Sequence, residues 1–369
     1  MSIFDINPDI RRAETLASDF YTDEKYFEQS KEKIFARSWQ FLGAADDVNN
    51  LRPQTILEDF LDEPVLISRR ENRLHCVSNV CTHRGKILVE NACEASLIRC
   101  PYHGRRFALD GKFLSMPEFE RVENFPTERD DLPRIPFGVW ENFLFAAINP
   151  FAPFEKFIGE MRARFDWFDF EKLKFTPAKD YFVRAHWALY CENYLEGFHV
   201  PFVHQSLNQA IDYGSYATEL FPFSSLQTAL SKPAGERDLS EPPAVAGGSS
   251  TAEISKQPNP FEKNIAAFYF FIFPNMMFNF YPWGLSVNVV KPLKPDLTKV
   301  SYLTFVSDES KLNRGAGADL ETVEFEDQAV VESVQKGIRS RFYSTGRYSP
   351  AREQGTHHFH RLIAKFMND

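Results

Sequence analysis

Between positions 81 and 103 the chain twice places a thiol and an imidazole in one short loop. The first loop reads Cys-Thr-His-Arg-Gly from Cys81 and the second Cys-Pro-Tyr-His-Gly from Cys100, with sixteen residues separating His83 from Cys100. Gly85 and Gly104 close the loops and let the backbone turn tightly over whatever the loops hold. A Cys-x-His loop matched to a Cys-x-x-His loop suits a [2Fe–2S] cluster with two Cys on one iron and two His on the other. Zinc takes the same four ligand types. Zinc fingers, however, pair Cys with Cys and His with His along the chain, whereas each loop here supplies one of each. The spacing favours the iron–sulfur cluster, with Cys81, His83, Cys100 and His103 as ligands.

The rest of the chain is large enough for more than this one site. Its 369 residues are enough for two domains with buried cores. A net charge of −9 offers no basic excess to track phosphates, which argues against nucleic-acid binding. The longest strongly apolar run, 266–273, is too short to span a bilayer, and no basic-then-apolar leader is visible at the N-terminus. Cys76, Cys93 and Cys191 remain as an odd set of thiols, which fits a reducing compartment. The expectation is a cytoplasmic protein with no membrane association.

Three segments follow from the patterning. Residues 1–39 form an N-terminal helical segment that packs on the last domain: from about residue 8 it looks helical, with Tyr26, Phe27, Ile34, Phe35 and Trp39 as its apolar face beyond Thr22 and Asp23. Residues 40–150 carry short alternating runs such as Val65-Leu66-Ile67-Ser68 and Leu74-His75-Cys76-Val77, the mark of a small all-β domain that would present the two loops. His75 and Cys76 read as core or edge residues. Arg84, Lys86, Arg99, Arg105, Arg106 and Lys112 fit either a solvated surface or a docking face for an acidic electron donor. Residues 151–369 form the last domain. Within it 231–262 is rich in Pro, Gly and Ser and reads as a mobile surface loop or lid.

A second candidate site lies at 192–204. Glu196 and His199 are three residues apart and would share a helix face. Pro201 disfavours helical geometry at Val200, so the helix is expected to end near His199 and a turn to swing His204 back beside it. Two His and one carboxylate make the facial triad of non-haem Fe(II) oxygenases, which leaves positions open for O₂. The carboxylate must come from 319–332. On a helix Asp327 shares a stripe with Val330, Val331, Val334 and Ile338, and Glu324 is its neighbour there; spacing leaves both as candidates.

Together these stretches resemble the large (alpha) subunit of the Rieske non-haem iron oxygenases, over nearly the whole chain. Within that family the sequence is most similar to the choline and carnitine monooxygenase branch. The residues that carry the likeness are Asn-Tyr-Leu-Glu-Gly-Phe-His-Val-Pro-Phe-Val-His at 193–204, Phe-Pro-Asn-Met-Met-Phe-Asn-Phe-Tyr-Pro-Trp at 273–283 and Glu-Asp-Gln-Ala-Val-Val-Glu-Ser-Val-Gln-Lys-Gly at 326–337. The resemblance implies an α+β chain, with an all-β Rieske [2Fe–2S] domain followed by a catalytic domain of antiparallel sheet covered by helices. It assigns the mononuclear Fe(II) to His199, His204 and Asp327, and makes Glu196 and Asn193 the candidate catalytic residues. Most of the family has aspartate at the position of Glu196, where it bridges one subunit's cluster to its neighbour's iron. The resemblance further implies a homotrimer fed by an NAD(P)H-dependent reductase or ferredoxin, with electrons passing singly to the iron where O₂ is activated.

The substrate is less constrained. Phe268, Phe270, Phe278, Phe280 and Trp283 are the candidate pocket walls, on two strands that turn at Pro274-Asn275, so about half of this aromatic run faces inward. An aromatic cage suits a quaternary ammonium group, and the same walls suit an arene. Three readings follow: an oxygenase acting on choline-, carnitine- or betaine-like amines, an aromatic-ring hydroxylating dioxygenase alpha subunit, or a Rieske protein that only transfers electrons. His186, His357, His358 and His360 have no metal-site spacing.

Overall fold

The structure is a computed structural model and describes residues 4–232, 259–312 and 314–369. The chain divides into two compact units, Phe35–Ile158 and Met1–Ile34 with Gly159–Asp369. Most of the expected mobile loop at 231–262 lies outside the described residues.

The unit Phe35–Ile158 is built from three small antiparallel sheets. Gln40–Ala44, Phe143–Ala146 and Phe137–Trp140 form one, and Leu51–Ile56, Glu63–Arg70 and Arg73–Ser78 form the second. The third, of Ile98–Arg99, Arg106–Phe107 and Phe113–Ser115, carries the second cluster loop between its first two strands. Its core joins Leu51, Leu66, Val77, Ile98 and Phe107 to the two cluster-loop cysteines, Cys81 and Cys100. Cys76 lies in this buried strand set, where burial pushes its thiol up to about 12.

The N-terminal segment is not one helix from residue 8. It holds α1 (Ser18–Thr22) and α2 (Glu24–Ser30), separated at Asp23, whose carboxylate accepts from the Lys25 N–H and caps α2. Trp39, expected on the same apolar face, instead belongs to the other unit, where its Nε1 donates to the Ala152 carbonyl at 2.9 Å. Helix α3 (Phe154–Arg164) links the two units.

The second unit is an eight-stranded antiparallel sheet with helices packed on it. Its central strands, Ile265–Ile272, Met276–Tyr281 and Gly284–Lys294, are almost wholly buried. Helices α4 (Trp187–Tyr194), α5 (Val200–Val203) and α6 (Gln205–Ala210) follow one another before the strand Ile211–Phe221. Helix α7 (Leu320–Gly337) packs on α4, and α8 (Gln354–Asn368) sets Phe359 edge-on to Phe271 at 5.5 Å. Gly355 permits that approach: a Cβ there would lie 2.2 Å from the Leu195 carbonyl oxygen.

The buried stripe of α7 is Glu324, Val331, Gln335 and Ile338. Val334, expected on it, is 44 % exposed, because Gln335 turns inward to accept from the His186 N–H. A buried polar network ties the N-terminal segment to the last helix: Tyr21 donates to Glu192, His360 Nε2 lies 3.0 Å from the same carboxylate, and Tyr348 meets His360 Nδ1 at 2.6 Å. His357 and His360 are packing residues of α8, both buried.

Candidate metal centres and substrate cleft

The two cluster loops share one backbone device despite their different His spacing. In the first, the Cys81 N–H donates to the Lys86 carbonyl and the Gly85 N–H to the Cys81 carbonyl, at 2.9 and 3.0 Å. In the second, the Cys100 N–H donates to the Arg105 carbonyl and the Gly104 N–H to the Cys100 carbonyl, at 2.8 and 3.1 Å. Gly85 and Gly104 adopt φ of +71° and +75°, the left-handed region where a side chain is strained. Cys81 and Cys100 point inward, and burial pushes the Cys81 thiol up beside its neighbour Cys100. His83 and His103 stand as a pair with ring centroids 4.9 Å apart, and Tyr102 lies 3.7 Å from the His103 ring. The basic patch is smaller than expected. Arg105 is 2 % exposed, and Lys86 and Lys112 pair with Glu90 and Asp131, which leaves Arg84, Arg99 and Arg106 exposed and without an ion pair among the described residues.

In the second unit α4 ends at Tyr194, five residues before His199. Pro201 starts a helix rather than ending one: it sits in the first turn of α5, where a missing N–H costs nothing. His199 and His204 therefore flank a one-turn helix, and their Nε2 atoms come to 3.1 Å. Asp327 arrives from α7, its Oδ1 lying 3.0 Å from His204 Nε2 and 3.6 Å from His199 Nε2. Among the described residues, these three form the one group of His, Cys, Asp or Glu donor atoms lying within 4.8 Å of one another.

Each imidazole carries a carboxylate on its other nitrogen. Glu196 Oε1 lies 2.5 Å from His199 Nδ1, and the same carboxylate accepts the Phe198 and His199 N–H groups. Glu326 Oε2 lies 2.7 Å from His204 Nδ1. Burial opposes a charge on His204, yet Asp327 and Glu326 hold its imidazole above the usual range. Asn193 Nδ2 donates to Asp327 Oδ1 at 2.5 Å. Glu326 escaped the sequence reading because neighbours on a helix point about 100° apart, so nothing in the pattern brings it to the same centre as Asp327. Glu324, the other spacing candidate, is occupied elsewhere: it accepts from Tyr190, Tyr302 and Gln328, and burial pushes its carboxyl up.

Beside the triad opens a cleft of about 750 Å³, its open mouth included. Its walls are Tyr194, Tyr216, Tyr269, Tyr281 and Tyr302, with Asn279, Asn288 and Glu324 between them. Tyr269 stands 6.1 Å from Tyr281 and 6.3 Å from Tyr194, nearly perpendicular to both. None of Phe268, Phe270, Phe278, Phe280 and Trp283 lines it. The cross-strand pairs Phe268–Phe280 and Phe270–Phe278 point to the opposite side of the sheet, where Phe280 stacks on Phe165 at 3.7 Å. Trp283 is 1 % exposed and backs Tyr281 in a parallel stack at 5.0 Å. A continuous aromatic run does not reveal which parity of a strand faces a site. The polar residues Asn279, Ser286 and Asn288 in otherwise apolar strands were the available signal, since they share the parity of Tyr269 and Tyr281.

Comparison with known proteins decides the family. Residues 38–126 match the Rieske [2Fe–2S] domain, and residues 170–369 match the ring hydroxylating alpha subunit (catalytic domain). This chain belongs to the ring-hydroxylating alpha-subunit family. It is 28% identical to the chloroplastic choline monooxygenase of Arabidopsis thaliana, across 98% of this chain and 84% of that one. It is equally 28% identical to the carnitine monooxygenase oxygenase subunit of Escherichia coli (strain K12), across 99% and 96%. A solved quaternary ammonium Rieske monooxygenase, described for carnitine oxidation and inter-subunit electron transfer, shares the fold with TM-score 0.74 and 22% identity, covering 99% of this chain and 98% of the other.

As a family member the chain is an oxidoreductase with a Rieske [2Fe–2S] cluster and a mononuclear iron, and its donor sets fit both. Cys81 and Cys100 neighbour one another, and the rings of His83 and His103 form a second pair with centroids 4.9 Å apart. One tetrahedral zinc, with bonds of about 2.0–2.3 Å, would draw all four together. The thiols and imidazoles instead stand as two pairs, as a two-iron cluster requires. The buried His103 Nδ1 has no hydrogen-bond partner among the described residues, which suits a ligand atom. The other centre offers two imidazoles and a carboxylate at one point, the donor set of non-haem iron. No helix among the described residues is long and apolar enough to cross a membrane.

Proposed function

We propose that this oxygenase acts on a quaternary ammonium compound of the choline or carnitine kind. In this reading Cys81, His83, Cys100 and His103 hold the cluster, and His199, His204 and Asp327 hold the iron. The cleft beside the triad carries the substrate assignment. Tyrosine faces attract a cation without hydrogen bonding to it. Glu324 adds a buried carboxyl group whose hydrogen-bond donors, Tyr190, Tyr302 and Gln328, are all neutral, so a cationic substrate would be the partner that favours its charged form. Val200, Leu207, Ile211, Leu320 and Val323 would also suit an arene, but an arene would leave Asn279, Ser286, Asn288 and Glu324 without a polar partner in the same cleft.

When bound, the cluster supplies one-electron transfer and the iron supplies open positions for O₂. The chain's own residues do the remainder. Glu196 and Glu326 fix the tautomer and orientation of His199 and His204, and Asn193 steadies the Asp327 oxygen that faces both imidazoles. The tyrosine walls hold the N-methyl head so that an adjacent C–H faces the triad. One oxygen atom of O₂ enters that bond and the other leaves as water, with two electrons from a reductase partner and two protons from solvent.

The same reading makes the assembly a homotrimer, in which Glu196 connects one subunit's cluster to its neighbour's iron. The exposed rings of Phe198 and Phe202, 41 % and 70 % accessible beside Glu196, supply an apolar patch suited to a subunit contact. Cys76, Cys93 and Cys191, the cysteines outside the cluster, form no disulfide, which suits a reducing cytoplasm.

The test is product formation by reduced, iron-loaded protein given O₂ and a panel. Choline, carnitine, glycine betaine and proline betaine stand against benzoate-like and phenolic arenes, with 3,3-dimethylbutan-1-ol as the uncharged copy of choline. Aldehyde from a quaternary amine, with little turnover of the uncharged copy, is expected. A hydroxylated arene with no amine turnover would overturn the assignment.

A further inference from the structure

We propose that Arg105 is a fixed positive charge, built into the Rieske domain, that raises the reduction potential of the cluster. The residue follows Gly104 directly, and its carbonyl accepts the Cys100 N–H at 2.8 Å, so its backbone is part of the second cluster loop. Its side chain turns inward and is 2 % exposed. The guanidinium carbon lies 4.9 Å from the centre of the Phe113 ring, 5.5 Å from Phe125 and 5.7 Å from Phe107. An arginine in an aromatic box of this kind is held rigidly and cannot lose its proton.

Its counter-charge is incomplete. Nη2 donates to Asp130 Oδ1 at 2.6 Å and to the Asp130 carbonyl at 3.2 Å, while the buried Nε has no hydrogen-bond partner among the described residues. Asp130 is itself the last residue of a capping box with Thr127, and its side chain is 19 % exposed against 2 % for Arg105. Solvent therefore screens the carboxylate more than the guanidinium. The Asp130 carbonyl also accepts the Thr82 hydroxyl at 2.9 Å, which ties the ion pair to the first cluster loop. Arg105 thus touches both loops, one through its backbone and one through Asp130.

Reduction adds one electron to the cluster and so one negative charge. A buried cation beside it, only partly offset by Asp130, stabilises the reduced form more than the oxidised form, in a medium where charges interact strongly. A clasp with no electrostatic role would hold the loops together and leave this balance alone. The two roles separate by sign. Arg105→Gln removes the positive charge and Asp130→Asn the negative one, so the first lowers the potential and the second raises it. Arg105→Lys keeps the charge.

The experiment is a redox titration of the cluster-loaded protein, followed by the electron paramagnetic resonance signal of the reduced cluster. Arg105→Gln is expected to shift the one-electron equilibrium towards the oxidised form at least tenfold, about 59 mV. Asp130→Asn should shift it the other way, with Arg105→Lys close to wild type. Potentials that stay unchanged, or that move in the same direction in the Gln and Asn variants, would overturn the proposal. If Arg105→Gln fails to load a cluster, Asp130→Asn decides alone: a raised potential supports the proposal and an unchanged one ends it.

Discussion

Phe280 and Tyr269 lie on neighbouring strands of one sheet and face opposite ways, so truncating each should injure a different property. Phe280 is 0 % exposed, stacked on Phe165 at 3.7 Å and edge-on to Phe168 at 5.1 Å. Burial of such a ring contributes roughly 1.5–3 kcal/mol, and a good aromatic pair about 0.5–1.5 kcal/mol more. Phe280→Ala also leaves a cavity that paired strands on both sides cannot close, which puts the total near the top of the ~3–5 kcal/mol range for such changes. In a unit of this size that lowers the thermal midpoint by roughly 8–20 °C. Tyr269→Leu keeps most of the apolar volume but removes one face of the cleft. Loss of a cation–π contact of about 0.5–2 kcal/mol raises the KM for a quaternary amine some 2- to 30-fold, with a far smaller change in midpoint. Thermal melts followed by circular dichroism and steady-state KM for choline give the two readouts. If Phe280→Ala raised KM while melting normally, or Tyr269→Leu left KM untouched, the assignment of sheet faces would be wrong.

Two further perturbations probe other parts of the catalytic unit. Glu326→Gln withdraws the carboxylate from His204 Nδ1 and should weaken iron retention about 10- to 100-fold; iron content after a timed chelator challenge measures it, and wild-type retention would remove Glu326 from the site. His186 is buried among the rings of Phe20, Tyr21, Phe27 and Trp187, and burial pushes it down to about 3. An unfolded imidazole titrates near ~6.5, so below that pH the unfolded chain binds the extra proton and stability falls with pH, by about 2 kcal/mol at pH ~5. Urea unfolding of wild type and His186→Gln at neutral and acid pH should show this additional loss in wild type alone, and equal losses would refute it.

What could be read from the chain was local. The cluster ligands lie within 23 residues, in loops each closed by two backbone hydrogen bonds and a glycine, so ligand type and spacing carry the whole device. His199 and His204 are likewise separated by a single helical turn, even though Pro201 opens that turn rather than breaking a longer helix. The carboxylate was harder. Spacing favoured Asp327 only slightly over Glu324, and the structure separates them by what else is near: Glu324 meets two tyrosine hydroxyls, while Asp327 meets both imidazoles.

The thiol and imidazole donors of the two centres were therefore legible in the sequence, because they sit on short segments whose geometry is set by their own backbone, whereas Asp327 reaches the imidazoles only through the fold. The substrate walls were not. Which parity of the strand Met276–Tyr281 faces the triad depends on its pairing with Ile265–Ile272 and on what covers each side, and that places Tyr269 and Tyr281 in the cleft and the phenylalanines behind it. The inward turn of Arg105 and the reach of Glu326 to His204 are of the same kind. Both depend on partners brought close only by the fold, Asp130 with its neighbouring rings in one case and an imidazole 122 residues away in the other. Long-range packing alone decides them.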